Sequence, residues 1–428
     1  MRVVFATEYY EPFVPGGTPW SVRLLARALH GRGDEVVVVT PNYGAPARQS
    51  IDGVPVVRFP FWRKLRSGPS LAPVRDHVNP LFHLLFAFAL VRASREIRAE
   101  LIHAQEKHAL VGASLAGWWL GLPVVLSLRD FGLICPITTC LLRHRDVPAD
   151  CSLGKLEREC AGLFLDLYIG PGRWRRARIR VSLAILYVDA WLKGWLVRRA
   201  RRVLGVSASI LDIYGHAGRM RPEQGKVVYN LPPAVPAPAT PSARARTREA
   251  FGLPDRPIVL YVGKLSPGKG FPVFVEAARR IATERPETVF VVVGDGTPPT
   301  ATVGADFRCL GPRPGTEVAA LYAVAEVVVH PAVWPEPFSR VLLEAGAFGK
   351  PVVGTSIGGT PEAVRDGDTG ILVERGDPEA LARAVLRLLG DDRLRQRLGE
   401  NAQRFVTEHF SPRIVVGALL DAYAETRG

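Results

Sequence analysis

The chain has 428 residues, 47% of them hydrophobic and 22% charged, which excludes a disordered or fibrous chain and is too long for one ordinary domain. Its 55 basic residues outnumber 41 acidic ones, and the +14 excess is confined: residues 1–228 hold 32 basic and 18 acidic side chains, residues 229–428 hold 23 of each. A basic half joined to a neutral half implies two domains with different partners, the basic one suited to a polyanion or an anionic membrane surface.

Residues 1–6 (MRVVFA) run straight into a strand pattern without the cleavage region of a secretory leader, so the expected location is the cytoplasm. Residues 3–6 read as strand, 14–18 as a glycine-bearing loop, 20–32 as helix and 35–40 as strand. This is a βαβ unit, whose ligands bind at the carboxyl ends of its parallel strands. The uncharged run 109–128 is long enough for a membrane span of about 20 residues. Gly112, Gly117, Gly121 and Pro123 divide it into helix, turn and strand instead.

Cys135, Cys140, Cys151 and Cys160 fall within 26 residues, separated by four, ten and eight residues. Zinc sites more often show close CxxC pairs, so a zinc site or a disulfide is the lesser reading. From 172 to 202 the chain carries ten basic residues and one acid, Asp189, interleaved with Trp174, Tyr187, Trp191 and Trp195. Asp189 and Lys193 share a helix face at i,i+4, leaving an apolar face with Trp191 and Trp195 on it. Such a helix suits a membrane interface; the plainer reading is a core helix flanked by solvated arginines.

Pro232, Pro233, Pro236, Pro238 and Pro241 make 229–241 a stiff linker between a first domain, 1–228, and a second, 242–410. The βαβ pattern then recurs: strand 258–262, loop 264–270, helix 273–284, strand 289–293. Further strands follow at 327–330 and 351–354, with helices from about 339 and over 378–389. A last helix, in 411–428, is placed to return to the first domain. The fold class is α/β, with two Rossmann-like domains.

The segment 327–355 carries the chemistry. Glu336 precedes a helix that Pro337 can start at N1, and Glu344 lies eight residues on, so two carboxylates can bind two parts of one polyol. An isolated pair would read as a helix cap and a solvated residue. Upstream, Lys264 and Lys269 flank Leu-Ser-Pro-Gly directly after a strand, where two ammonium groups can neutralise a diphosphate. Gly294-Asp295-Gly296 ends another strand on the same edge, and Gly358-Gly359-Thr360-Pro361-Glu362 supplies a flexible turn into a helix. Asp366-Gly367-Asp368 has the look of a metal-binding pair but reads as a turn before strand 370–373, so no metal is expected there.

These residues resemble the family-4 retaining glycosyltransferases of the GT-B fold, whose signature is two glutamates separated by seven residues and a basic residue followed five later by lysine. Glu336 and Glu344 match the first part; Lys264 and Lys269 match the second, with lysine where the family usually has arginine, which keeps the charge but loses the bidentate fork. Val14-Pro15-Gly16-Gly17 matches the family's N-terminal glycine loop, 101–104 a first-domain strand end, 228–230 the approach to the linker, and 358–376 the stretch after the donor site. The resemblance implies two domains facing each other across a cleft. It also implies donor contacts from Gly16, Gly17, Lys264, Lys269, Gly294, Glu336, Phe338, Ser339 and Glu344. Many relatives have histidine where this chain has Arg129, which can bind a leaving phosphate or an acidic acceptor, or form a salt bridge to Asp130 or Glu106. Relatives also carry a cysteine-bearing insertion after Cys-Pro, which makes 135–160 a loop over the acceptor side.

The implied reaction is retaining transfer of a hexose from a nucleotide-diphosphate sugar to a glycan or lipid-linked acceptor, in cell-surface polysaccharide or glycolipid synthesis. Glu336, Lys264, Lys269 and Arg129 are its expected catalytic groups. No metal and no cofactor beyond the donor is expected; the partners are the nucleotide sugar, the acceptor and an anionic membrane on its inner face. Two alternatives are a nucleotide-sugar epimerase of the same fold and a nucleic-acid binder using the basic half. The second leaves the constellation in the neutral half unexplained, so nucleic acid is not an expected partner.

Overall fold

Two largely parallel sheets organise the chain in the computed structural model, which describes residues 1–68, 70–143, 147, 151–237, 239–298 and 304–426. Pro238 and residues 427–428 of the expected linker and last helix lie outside the described residues. The first sheet contains β1 (Arg2–Ala6), β2 (Glu35–Asn42), β3 (Arg48–Ile51), β4 (Val54–Pro60), β5 (Leu101–Ala104), β6 (Val124–Leu128), β7 (Arg202–Gly205) and β8 (Gly225–Val227). Its order is β3-β4-β2-β1-β5-β6-β7-β8, parallel except for the β3–β4 hairpin. The second contains β9 (Ile258–Val262), β10 (Val289–Val293), β11 (Asp306–Gly311), β12 (Val327–His330), β13 (Val352–Thr355) and β14 (Gly370–Val373), in the parallel order β11-β10-β9-β12-β13-β14. Strands such as Val289–Val293 are apolar at every position because helices cover both faces of such a sheet.

Helices relevant to the sites are α1 (Gly17–Gly31), α2 (Pro80–Glu96), α3 (Leu110–Leu120), α4 (Arg173–Val197), α5 (Phe271–Glu284), α6 (Arg340–Ala347), α7 (Pro378–Gly390) and α8 (Pro412–Ala424). The run 109–128 resolves into α3, a left-handed cap at Gly121 and then β6. Among the described residues no helix is long and apolar enough to cross a membrane.

The chain divides into two compact units, one of Met1–Leu231 with Pro412–Gly428 and one of Pro232–Ser411. In the first, Val415, Val416, Leu419 and Tyr423 of α8 join Leu25 and Leu29 of α1 and Val3, Phe5 and Val36 of the sheet in one core. The Tyr423 hydroxyl lies 2.6 Å from His103 Nδ1 on β5. In the second, Phe274 and Ile281 of α5 and Leu381 and Val385 of α7 pack with Val259, Val292 and Val329. Pro241, expected in the linker, opens the helix Pro241–Ala250, with the Thr240 side chain as its cap. A proline at that first position sacrifices no hydrogen bond.

One face of the helix expected in 172–202 is a core face: Leu183, Tyr187, Ala190, Gly194 and Val197 of α4 are buried, while Arg173, Arg175, Arg178 and Arg180 are exposed. Lys193 of α4 is only 3% exposed and pairs with Asp189 at 2.7 Å on the inward face, while Val181, Ile185, Val188, Trp191, Leu192 and Trp195 face solvent. The inward face combines those buried apolar residues with the ion pair, and the tryptophan face is left outside. Helix α4 packs on α3 and α3 on α2, and these two add exposed Trp118 (84%), Trp119, Leu84 and Phe88, with the Phe88 and Trp119 rings 5.8 Å apart.

Candidate active site

In the second sheet the strand order reverses between β9 and β12, the switch point at whose carboxyl ends doubly wound sheets bind ligands. The loop after β9 carries Lys264 and Lys269; the loop after β12 carries Glu336. Backbone bonds stitch them together: the Val333 and Trp334 N–H groups both donate to the Gly268 carbonyl, at 3.0 and 3.2 Å. Gly270 has φ 72°, and a Cβ there would lie 1.6 Å from the Pro331 carbonyl oxygen. Gly294, with φ 154°, lets the loop after β10 close on the loop after β9, since a Cβ would come within 1.8 Å of the Gly263 oxygen. Both positions require glycine for space as well as for conformation.

That stitching sets Lys269 Nζ 2.5 Å from Glu336 Oε2, and Trp334 Nε1 donates to the same oxygen at 2.9 Å. Burial alone would raise the Glu336 carboxyl, but the Lys269 ammonium and these hydrogen bonds hold it below the ordinary carboxylate range. His330, at the end of β12, is pushed down to about 4 by burial and stays neutral beside them. Lys264 sits on the same loop with its side chain exposed, without an ion-pair partner among the described residues, while its carbonyl accepts from the Tyr261 hydroxyl at 2.7 Å.

Glu336 is not at the mouth of a helix started by Pro337. Helix α6 begins at Arg340 with Ser339 as its cap residue, leaving 335–338 as an irregular loop. The carbonyl of a cap residue opens the helical ladder, and that of Glu336 is engaged outside it. The Gly359 N–H donates to the Glu336 carbonyl at 2.8 Å and fixes the loop from its other side. Glu344, five residues into α6, accepts from the Tyr322 hydroxyl at 3.1 Å and pairs with Arg340 at 2.9 Å. Burial raises the Tyr322 phenol far above its usual range, so it remains a donor. The side chain of Phe338, a residue expected among the donor contacts, is buried, with its ring 5.6 Å from that of Phe410.

Sequence reasoning missed Trp334, Tyr322 and His330. Trp334 lies two residues before Glu336 and was open to suspicion; Tyr322 is 22 residues from Glu344, beyond any local pattern. Asp366 accepts the Leu372 N–H at 2.8 Å and Asp368 accepts from Asn401 Nδ2 at 2.8 Å, so both carboxylates serve the turn.

In the first unit the strand order reverses at β1 and β5, and polar residues gather after both. Gly16 and Gly17 are exposed at the start of α1. Arg129, after β6, donates to the Gln105 side chain at 3.0 Å and to Asn230 Oδ1 at 2.7 Å, whereas Asp130 pairs with Lys107 at 3.0 Å. Glu106 accepts from the Glu8 N–H and from Thr7 Oγ1. Glu8 lies 3.1 Å from His77 Nε2 and 3.7 Å from His108 Nε2, a buried group that the sequence did not reveal.

The profile of the group 1 glycosyl transferases matches residues 243–405, and that of the glycosyl transferase 4-like domain matches residues 16–231. The D-inositol 3-phosphate glycosyltransferase of Acidothermus cellulolyticus is 35% identical over 96% of this chain and 87% of its own. Its counterpart in Corynebacterium glutamicum is 36% identical, and there the match covers 39% of this chain and 43% of the relative's length. The structure of Anabaena Alr3699/HepE in complex with UDP and glucose aligns over 99% of both chains with a TM-score of 0.67 at 23% identity. The fold is GT-B. The chain belongs to the group 1 glycosyltransferases of the family-4 type.

Proposed function

We propose that the protein transfers a hexose from a nucleoside-diphosphate sugar to a glycan or lipid-linked acceptor, with retention and without a metal ion in the reaction. The observation that carries this reading is the Lys269–Glu336 pair at the switch point of the second sheet. The bond from the anomeric carbon to the phosphate breaks, and negative charge develops on the diphosphate. Lys264 and Lys269 stabilise that charge. The acceptor oxygen bonds to the anomeric carbon on the face the phosphate leaves, and its proton passes to the departing phosphate oxygen. Glu336 holds sugar hydroxyls and Glu344 the ribose, with Tyr322 and Arg340 fixing the second carboxylate. Arg129, already spending donors on Gln105 and Asn230, positions the acceptor side.

The acceptor is presented at a membrane. The exposed tryptophans of α3 and α4, rimmed by the arginines that begin α4, support attachment to an anionic surface, a role that fits the excess charge of the first half.

The test is product analysis after incubating the protein with candidate nucleotide sugars selected by thermal shift, with and without acceptor lipid. Released nucleoside diphosphate with a glycosylated acceptor supports the proposal, and epimerised donor in the absence of acceptor favours the epimerase instead. Full activity of Glu344→Gln would sink the site assignment.

A further inference from the structure

A run of hydrogen bonds with a single direction links α8 to Arg129, the residue that follows β6. The guanidinium can only donate. Its Nη2 donates to Gln105 Oε1 at 3.0 Å and its Nε to the Gln105 carbonyl at 3.2 Å, a fork on one residue, while Nη1 donates to Asn230 Oδ1 at 2.7 Å. With its amide oxygen turned to Arg129, Gln105 presents its NH2 group to His103, and the two nitrogens, Nε2 and Nδ1, lie 3.0 Å apart. Nδ1 is therefore the acceptor of the ring, and the imidazole proton sits on Nε2, which donates to Ser127 Oγ at 2.8 Å. The Tyr423 hydroxyl of α8 donates to the same Nδ1 at 2.6 Å, and burial keeps that phenol protonated.

Burial sets Arg129 apart from the groups behind it. His103, Gln105 and Tyr423 are fully enclosed and Ser127 and Asn230 are buried, whereas Arg129 is partly exposed at the carboxyl end of the sheet. The His103 ring is held edge-on between Phe5, at 5.3 Å, and Tyr423, at 5.6 Å. A second ring proton would stand against the two donors already aimed at Nδ1, so the arrangement keeps the ring neutral and its direction fixed. The acceptors facing the guanidinium in this run are neutral oxygens, which orient it without discharging it. Buried hydrogen bonds between neutral groups add little net stability, and apolar side chains of the same shape would fill the core as well. What the run supplies is position: a long, flexible side chain gives up its rotamer freedom before any substrate arrives.

We propose that Gln105, His103 and Tyr423 are positioning residues that act through Arg129, holding its guanidinium in one orientation for the charge it meets during transfer. This role rests on the transfer reaction proposed above; what it adds is that a helix remote in sequence sets how Arg129 meets its substrate. Gln105 holds the guanidinium, His103 fixes which way the Gln105 amide faces, and Tyr423 fixes the His103 ring. Were these groups only filling the core, their loss would lower stability and leave the kcat/KM of the folded protein alone.

A double-mutant cycle on acceptor kcat/KM in the full-length protein tests the proposal. Gln105→Ala and Tyr423→Phe should each lower it by roughly 5–10-fold, the scale of one lost hydrogen bond. In an Arg129→Lys background, where the fork is already gone, the same two substitutions should each change it by less than about twofold. Effects that persist undiminished in that background overturn the proposal, and so does an unchanged kcat/KM in the single variants. Should a variant fail to fold, 15N NMR of the wild-type imidazoles supplies the readout: His103 is expected with its proton on Nε2 at neutral pH, and a proton on Nδ1 breaks the run and overturns the proposal. Wild-type protein that forms no glycosylated product fails the transfer reading itself, and this role with it.

Discussion

Lys269 does two things to Glu336 at once: it supplies a cation beside the proposed diphosphate and keeps a buried carboxyl ionised. Lys269→Ala should therefore lower kcat/KM by ~10²–10³-fold, the scale of one lost preorganised donor. The same substitution leaves burial unopposed, so the Glu336 carboxyl rises and the acid limb of the kcat/KM profile moves to higher pH. An unmoved limb would mean that Glu336 ionisation does not govern turnover. Tyr322→Phe removes a neutral donor from Glu344, and a donor KM raised by roughly 5–10-fold at nearly constant kcat is expected, from about 1 kcal/mol per lost hydrogen bond. The spacing of Lys264, Lys269, Glu336 and Glu344 was legible in the sequence because the first three lie on loops at strand ends and Glu344 on the helix that follows. Their partners were not: the Tyr322 hydroxyl and the Gly268 carbonyl reach the site through the fold, and no local pattern announces them. The helix start at Arg340 was misread because the Glu336 carbonyl, which a helix from Pro337 would use, is taken by the N–H of Gly359, 23 residues on.

At the level of elements, α4 shows why a two-faced helix is ambiguous from sequence. Its periodicity separates Asp189 and Lys193 from Trp191 and Trp195, but which face turns inward depends on what lies beneath, and here it is the face of Leu183, Tyr187 and Val197, which also carries the ion pair. The β-strands carry no such ambiguity, and β9, β10, β12 and β14 begin and end where their apolar runs do. The outward tryptophans lead to a measurement: the protein should co-sediment with anionic vesicles at low salt and leave them as ionic strength rises. Trp191→Ser and Trp195→Ser should each weaken partitioning by roughly tenfold, the effect of withdrawing a partly buried large side chain. Binding that is insensitive to both substitutions would assign the attachment to another surface.

Across the whole molecule, buried histidines make stability depend on acid. Burial pushes His83 and His103 down to about 3 and His77 to about 4 in the first unit, against His330 alone at about 4 in the second. Unfolded histidine titrates near 6.5, so below that pH the unfolded chain binds more protons and stability falls as the pH drops toward 4, by up to ~1.4 kcal/mol per pH unit for each group. Glu8 and Glu106, raised by burial, work in the opposite sense but are fewer. Pulsed hydrogen exchange during acidification should find the first unit opening before the second; simultaneous opening would contradict this. A chain ended at Ser411 should likewise lose the first unit's protection, since Leu25 and Leu29 are then left uncovered, while the second keeps its own.

The return of α8 to the first core also sets a timetable. The ribosome delivers nearly all of the first unit early, yet its closing helix appears only after the entire second unit has been made, on the order of ten seconds or more later. The unit synthesised first is thus completed last. Until α8 arrives, the nascent chain displays an open apolar seam along α1, which makes that seam the natural point of engagement for a chaperone during synthesis.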